Sequence, residues 1–176
     1  MEKQENKLYI DRLTDEPNAL LKTFKSKDTY LNQFLVRRAK HHQEELLATT
    51  YLLFYENDDV EDELVGYYTL SCSSVTATEY VKSNFHRNKQ YEDYPAILIG
   101  RLAISKKYEN KGFGSFLLDS IKRKAIDNQG FAGRFLILDA KKEAVDFYKK
   151  NHFDFWTKED QNEDTRLMYF DLLQMK

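Results

Sequence analysis

The stretch Leu98–Leu118, LIGRLAISKKYENKGFGSFLL, constrains the fold more than any other part of the chain. Ala96-Ile97-Leu98-Ile99, with Leu102-Ala103-Ile104 beyond Gly100-Arg101, is too continuously apolar for a half-exposed strand and predicts one in the middle of a sheet. A turn over Ser105–Asn110 leads to Lys111-Gly112-Phe113-Gly114-Ser115. Phe113, Phe116, Leu117, Ile121 and Ala125 then trace one face of a helix. Two glycines at the mouth of a helix leave its first amides free and let an anion approach the backbone, where the helix dipole favours negative charge. A strand delivering the chain into such a loop predicts a phosphate site.

The loop is not a P-loop, because no Gly-Lys-Ser/Thr closes it. It is not a dinucleotide fingerprint either, because the third glycine is missing and the segment comes late in the chain. The segment ENKGFG, Glu109–Gly114, resembles the pyrophosphate-binding motif Q/R-x-x-G-x-G/A of the GNAT acetyltransferase superfamily, with Glu109 standing where Gln or Arg is usual. A second segment, Leu136–Trp156, resembles that family's strand, helix with A-x-x-x-Y, and turn into a strand. The match gives Ala144 and Tyr148, with Asn151-His152-Phe153 where a Gly-Phe pair is common and Lys141 where many members carry Asn. The N-terminal half is similar to a narrower group, the bacterial toxin-type members that acetylate aminoacyl-tRNA. An early L-x-x-F-L-like helix, Gly66-Tyr67-Tyr68 and the segment Pro95–Ala103 carry that likeness.

The rest of the chain fits one domain over 1–176. At 176 residues it can bury about 70% of its unfolded surface. Gly and Pro are scarce among abundant Phe and Tyr, which argues against disorder. No run of 18 apolar residues and no signal-like start occurs, so a soluble, cytoplasmic protein without membrane contact is expected. The single Cys72 leaves neither an internal disulfide nor a thiolate zinc cluster, and no metal is expected. Charge is uneven: residues 51–100 hold 3 basic against 9 acidic side chains, and residues 101–150 hold 12 against 6. The basic block coincides with the predicted phosphate site, although lysine-rich solvated helix faces give the same count.

In chain order, Leu8–Leu13 predicts a strand, and Pro17 opens a short helix over Ala19–Phe24. Asp28 caps a helix with Leu31, Phe34, Leu35 and Ala39 on one face and a basic end, Arg37-Arg38-Lys40-His41-His42. Those cations suit the helix dipole, or else an anionic substrate passing over the helix. Leu46–Tyr55 and Leu64–Val75 predict a hairpin around the acidic run Asn57–Glu63, with a bulge at Gly66. Thr76–Pro95 lacks periodicity and predicts a long connection carrying substrate contacts or packing on a second copy. After a turn bracketed by Gly130 and Gly133 come strand Phe135–Leu138, helix Asp139–Asn151, alternating His152–Trp156, a charged loop over Lys158–Asp164 and strand Arg166–Leu173. Antiparallel pairing first and a strand–helix–strand unit later predict a mixed sheet, α/β in class.

The resemblance implies a GNAT-like fold, a central mixed sheet of about six to seven strands flanked by helices. It implies N-acetyl transfer from acetyl-CoA to a primary amine. Cofactor contacts fall on Leu102, Ala103 and Ile104 and on Asn110, Lys111, Gly112, Phe113, Gly114 and Ser115, and Tyr148 is the catalytic acid. For a toxin-type member the amine is that of charged tRNA and an antitoxin is a partner. A small amine, peptide or protein acceptor, or a non-catalytic acyl-CoA sensor, stays open, as does a homodimer. His41, His42, His86 and His152 each read as surface or packing residues, which leaves no obvious general base. Lacking one, the enzyme should prefer an α-amine, with pKa about 7.7–8.0, over a lysine near ~10.4.

Overall fold

A computed structural model describes residues 7–14, 17–56, 62–85, 90–127, 130 and 132–176. Its strands are β1 (Leu8–Arg12), β2 (Thr49–Tyr55), β3 (Glu63–Thr76), β4 (Asp93–Ile104), β5 (Phe135–Lys141), β6 (Asp154–Phe155) and β7 (Thr165–Asp171). Its helices are α1 (Asn18–Thr23), α2 (Thr29–Arg37), α3 (Ala39–Glu44), α4 (Glu79–Lys82), α5 (Phe113–Asp127) and α6 (Val145–Lys150). The strands form one seven-stranded sheet in the order β1-β2-β3-β4-β5-β7-β6, so the apolar run expected at the centre occupies the middle strand. β1, β2 and β3 pair antiparallel, β4 and β5 pair parallel across α5, and β7 pairs antiparallel with β5 and β6. The sheet is mixed, as the element order predicts.

The chain divides into two compact units, Met1–Leu70 with Arg101–Leu117 and Ser71–Gly100 with Leu118–Lys176. In the first, Asp28 caps α2: its Oδ1 accepts from the amides of Tyr30 at 2.8 Å and Leu31 at 3.4 Å. Such a cap contributes about 1 kcal/mol. Phe24, Phe34, Leu35, Leu52 and Tyr67 pack with Ala103 of β4 into one core. Each large apolar side chain so buried contributes about 1.5–3 kcal/mol. The buried Tyr67 hydroxyl donates to the Leu31 carbonyl at 2.9 Å, tying α2 to β3.

Two expectations here need correction. Ala39 does not extend α2 but opens α3, which carries His41 and His42. The second strand begins at Thr49 rather than Leu46, because Leu46 takes a left-handed φ of 58° that ends the preceding helical segment and cannot join a ladder. The β2–β3 register does shift, with Leu53 opposite Gly66 and Phe54 opposite Leu64, which leaves Val65 as the extra residue. Gly66 itself answers to close approach: a Cβ there would lie 2.7 Å from Ile104 Cδ1 and 2.9 Å from the Ala103 carbonyl oxygen.

In the second unit, Val81, Phe85, Tyr94, Phe135, Trp156 and Tyr169 form the core. The Trp156 indole donates to the Thr76 carbonyl at 3.0 Å. Arg134 grips Asp171 through Nε and Nη2, both at 2.7 Å, which fixes the start of β5 against the end of β7. The described residues of the Thr76–Pro95 connection contain α4, four core side chains (Ala77, Val81, Phe85 and Tyr94) and the first residues of β4. The helix expected from Asp139 begins later. Asp139, Ala140 and Lys141 continue β5 opposite Leu167, Arg166 and Thr165. A 3-10 turn over Lys142–Ala144 then precedes α6. On α5, Leu117, Leu118 and Ile121 are fully buried while Phe116 is exposed, so the buried stripe lies one residue round from the expected face. Residues 57–61 of the expected acidic hairpin loop and residue 131 of the Gly130–Gly133 turn lie outside the described residues, as do residues 1–6 and 128–129 and His86. No helix among the described residues is long and apolar enough to cross a membrane.

Candidate active site

The helix mouth read from the glycines is built in the first unit. The parallel ladder between β4 and β5 runs from Ala96 opposite Phe135 to Leu98 opposite Ile137 and ends there, so Leu102-Ala103-Ile104 lie beyond it. From Ile104 the chain passes through Ser105, whose amide donates to the Val65 carbonyl at 2.8 Å, and a 3-10 turn over Lys106–Tyr108. Asn110 at φ 58° and Gly112 at φ 86° then turn the backbone left-handed on either side of Lys111. Asparagine tolerates that region and glycine enters it without penalty, which accounts for both residues.

Gly112 acts as the cap of α5. Its carbonyl accepts the first intrahelical bond, from the Phe116 amide at 3.0 Å. The amides of Phe113, Gly114 and Ser115 precede any intrahelical acceptor and meet no other protein acceptor among the described residues. Lys111 and Gly112 are exposed; Phe113, Gly114 and Ser115 are half-buried. Three free donors at the positive end of a 15-residue helix make an anion cradle.

Side chains brace this loop from outside. The Tyr108 hydroxyl donates to Glu63 Oε2 at 2.5 Å, and Lys107 Nζ reaches the same carboxylate at 2.5 Å. These two donors hold the Glu63 carboxyl below its usual range, led by Lys107. The Tyr108 ring packs edge-on against Phe113 with centroids 5.5 Å apart, and Lys111 Nζ lies 5.2 Å from its centroid. Glu109, the departure from the usual Gln or Arg, is ion-paired to Lys27. The negative charge beside the cradle is thus matched by a cation. The bracing residues Lys27, Glu63 and Tyr108 are not visible as a group in the sequence, because they come from three separate segments.

Tyr148 belongs to the second unit. It sits on α6, edge-on to Phe147 at 5.0 Å and to Phe153 at 5.8 Å. Burial alone pushes its hydroxyl up to about 12, with no charged neighbour or hydrogen bond contributing. The helix ends in a Schellman arrangement: the His152 amide donates to the Lys149 carbonyl and the Phe153 amide to the Tyr148 carbonyl, both at 3.0 Å. His152 occupies the left-handed position at φ 67°, the conformation that glycine suits best and the physical reason for the Gly-Phe pair usual at this point. Beneath it, Lys122 of α5 is only 4% exposed. Its Nζ donates to the Asn151 carbonyl at 2.9 Å and stands 4.3 Å from the Phe170 centroid. Burial holds this ammonium below its ordinary pKa, against an opposing pull from Asp119. Lys141 ends β5 with its side chain exposed.

Among the described residues no group of three His, Cys, Asp or Glu side chains could hold a metal ion. Cys72 is free and exposed on β3.

A family pattern described as an acetyltransferase (GNAT) domain matches residues 48–154. A solved bacterial toxin superposes with a TM-score of 0.82 at 18% identity, covering 97% of this chain and 93% of its own. AtaT complexed with acetyl-methionyl-tRNA gives 0.74 at 21%, covering 96% of this chain and 97% of its own. A tyrosine-to-phenylalanine mutant of the AtaT toxin, bound to the C-terminus of the antitoxin AtaR and acetyl-CoA, gives 0.74 at 23%, covering 96% and 95%. At such identities the likeness is one of fold.

Proposed function

We infer, for a chain that belongs to the acetyltransferase (GNAT) family, that it moves the acetyl group of acetyl-CoA to the α-amine of an aminoacyl-tRNA. The observation that carries this is the open helix mouth: three unpartnered amides at Phe113, Gly114 and Ser115, reached through left-handed Asn110 and Gly112. This donor set suits a pyrophosphate, the group that acetyl-CoA carries. Leu102-Ala103-Ile104, beyond the β5 ladder, have strand backbone to which a pantetheine arm can add as a pseudo-strand.

In the transfer, the neutral amine nitrogen forms a bond to the thioester carbonyl carbon, the carbon–sulfur bond breaks, and the sulfur leaves with a proton. Tyr148 serves as the proton donor. At about 12 its hydroxyl stays protonated throughout the physiological range, which fits an acid and not a base. Against a thiol near ~8.5 such a phenol is a weak acid, so full transfer from it in isolation is uphill. The proton balance closes when the phenol gives its proton to sulfur and the phenolate takes up the proton that the newly acylated nitrogen sheds. A backbone amide on the central strand can stabilise the developing oxyanion, a contribution of about 2.7–4 kcal/mol where measured.

The toxin-type acceptor is favoured by the neighbours: AtaT is solved with acetyl-methionyl-tRNA, and an AtaT mutant with a piece of its antitoxin. An antitoxin is accordingly a proposed partner here. The second reading, a small amine, peptide or protein acceptor, keeps the same cofactor cradle and draws on the acidic 51–100 block, which suits a cationic substrate.

The test is mass spectrometry of bulk charged tRNA incubated with the protein and acetyl-CoA, beside Tyr148→Phe. N-acetylated aminoacyl adducts that drop at least a hundredfold in the variant are expected. Acetyl-CoA binding without adducts would transfer the assignment to another amine. Unimpaired turnover by the variant would remove Tyr148 from the mechanism.

A further inference from the structure

Arg101 interrupts the apolar run of β4 and shares a face with Ala103, two residues on. Its guanidinium carbon lies 3.6 Å from the centroid of the buried Phe34 ring and 5.9 Å from that of Tyr30. Nη2 donates to the Tyr30 hydroxyl at 3.3 Å. Nε is sealed from solvent and has no acceptor. Among the described residues no carboxylate forms an ion pair with this guanidinium. His42 meets the Phe34 ring edge-on at 5.1 Å, and burial first, then the charges of Arg101, His41 and Arg38, disfavour a proton on it against an opposing pull from Glu45.

A guanidinium stays charged at every accessible pH, and its five donors fork towards two oxygens in a plane. Stacked on an aromatic face, stripped of water at Nε and left without a carboxylate, it is poised for an oxyanion brought from outside. The other strongly engaged arginines show the contrast: Arg134 and Arg166 each hold an aspartate.

We propose that Arg101, backed by Phe34 and Tyr30 and flanked by Arg38 and His42, is an oxyanion subsite that receives a phosphate or carboxylate group of the acceptor. It immediately precedes the cofactor segment Leu102-Ala103-Ile104 in sequence. The inference deepens the proposed function and rests on it for the source of the anion: with charged tRNA, the oxyanion is a backbone phosphate near the aminoacylated end.

The test uses the full chain saturated with CoA, so that the helix mouth is not the anion site observed. Inorganic phosphate and, separately, acetate are titrated while NMR follows the Arg101 Nε–H and His42 ring signals. Phosphate should shift both saturably. Arg101→Gln should weaken the His42 response at least tenfold, and Arg101→Lys, which keeps charge but loses the fork, should fall between. Saturation by acetate in preference to phosphate also supports the subsite and identifies a carboxylate-bearing acceptor. Unmoved signals in both titrations, or identical His42 curves in wild type and Arg101→Gln, overturn it. CoA affinity of the variants, expected to be unchanged, controls for folding. Should charged tRNA prove not to be an acceptor, these titrations still decide the subsite on their own.

Discussion

The mouth of α5 and the end of α6 are both helix termini next to a left-handed residue, yet they are built in opposite ways. At the first, backbone donors are left open: Phe113, Gly114 and Ser115 keep their amides unspent while Glu63, Tyr108 and the Lys27–Glu109 pair hold the loop from its flanks. At the second, backbone groups are satisfied and the side chain is confined: Tyr148 lies between Phe147 and Phe153, and its own carbonyl is bonded by the Phe153 amide. Open amides suit a ligand that brings its own charge. A phenol raised by burial suits a proton donor, because desolvation penalises only its ionised form.

The comparison makes its largest demand on Tyr148. Replacing it by Phe should lower turnover by about 10²–10⁴-fold, the usual scale of general acid catalysis. Packing and acetyl-CoA affinity should be retained, because no hydrogen bond is lost. The pH profile carries the sign. With a hydroxyl at about 12, the acid form persists as pH rises, so the rate should climb with amine deprotonation and decline only as pH nears 12. A descending limb near neutrality would place the acid on another group.

Next comes Gly112, where the two termini can be told apart by function. No atom lies within 4 Å of a Cβ placed there, so Gly112→Ala meets only the conformational cost of φ 86°. That is about 1–2 kcal/mol. If the loop holds its shape the loss appears in thermal stability; if it relaxes, the amides swing away and the KM for acetyl-CoA rises by roughly tenfold. Either way kcat at saturating cofactor should change far less than in Tyr148→Phe.

Much of this was readable in advance. The apolar runs Ala96–Ile99 and Leu102–Ile104, on either side of Gly100-Arg101, gave away the central strand, and the glycine pair gave away the start of α5, because both signals are local. Asp139–Lys141 misled: read as the start of a helix, they make three of the seven cross-strand pairs between β5 and β7, which draw them into the sheet. The buried face of α5 shifted by a residue because Phe116 and Leu118 are equally apolar and only packing chooses between them. Thr76–Pro95 hid Val81, Phe85 and Tyr94 because the four-residue α4 and the first residues of β4 are too short to show a period. Lys122 could not be found at all, since lysine is the residue least expected in a core.

Lys122 tests how firmly the end of α6 is held. Its ammonium is disfavoured by burial, so its pKa in the folded chain lies below the ordinary 10.5 and the unfolded chain binds the extra proton. Stability contributed at this site therefore rises with pH, from the folded value up to about 10.5, and is lowest below it. Urea unfolding of wild type and Lys122→Met across this window should show the difference drifting in favour of wild type as pH increases. A drift of the opposite sign would mean that Asp119 and the Asn151 carbonyl outweigh the cost of burial.

The smallest effect, and the one that isolates backbone from side chain, is at His152. Its imidazole is exposed and the residue serves the Schellman turn through its amide alone, so the left-handed φ of 67° is a cost with no packing return. His152→Gly removes that cost and should stabilise the fold by about 0.5–1 kcal/mol. For a chain of this size that raises the thermal midpoint by about 2–4 °C per kcal/mol. Turnover should be unchanged, because the turn keeps the same two amide bonds and Tyr148 keeps its place between the aromatic rings. A loss of activity without a loss of stability would show that the imidazole itself acts on the acceptor, and the end of α6 would then be a ligand site as well as a support.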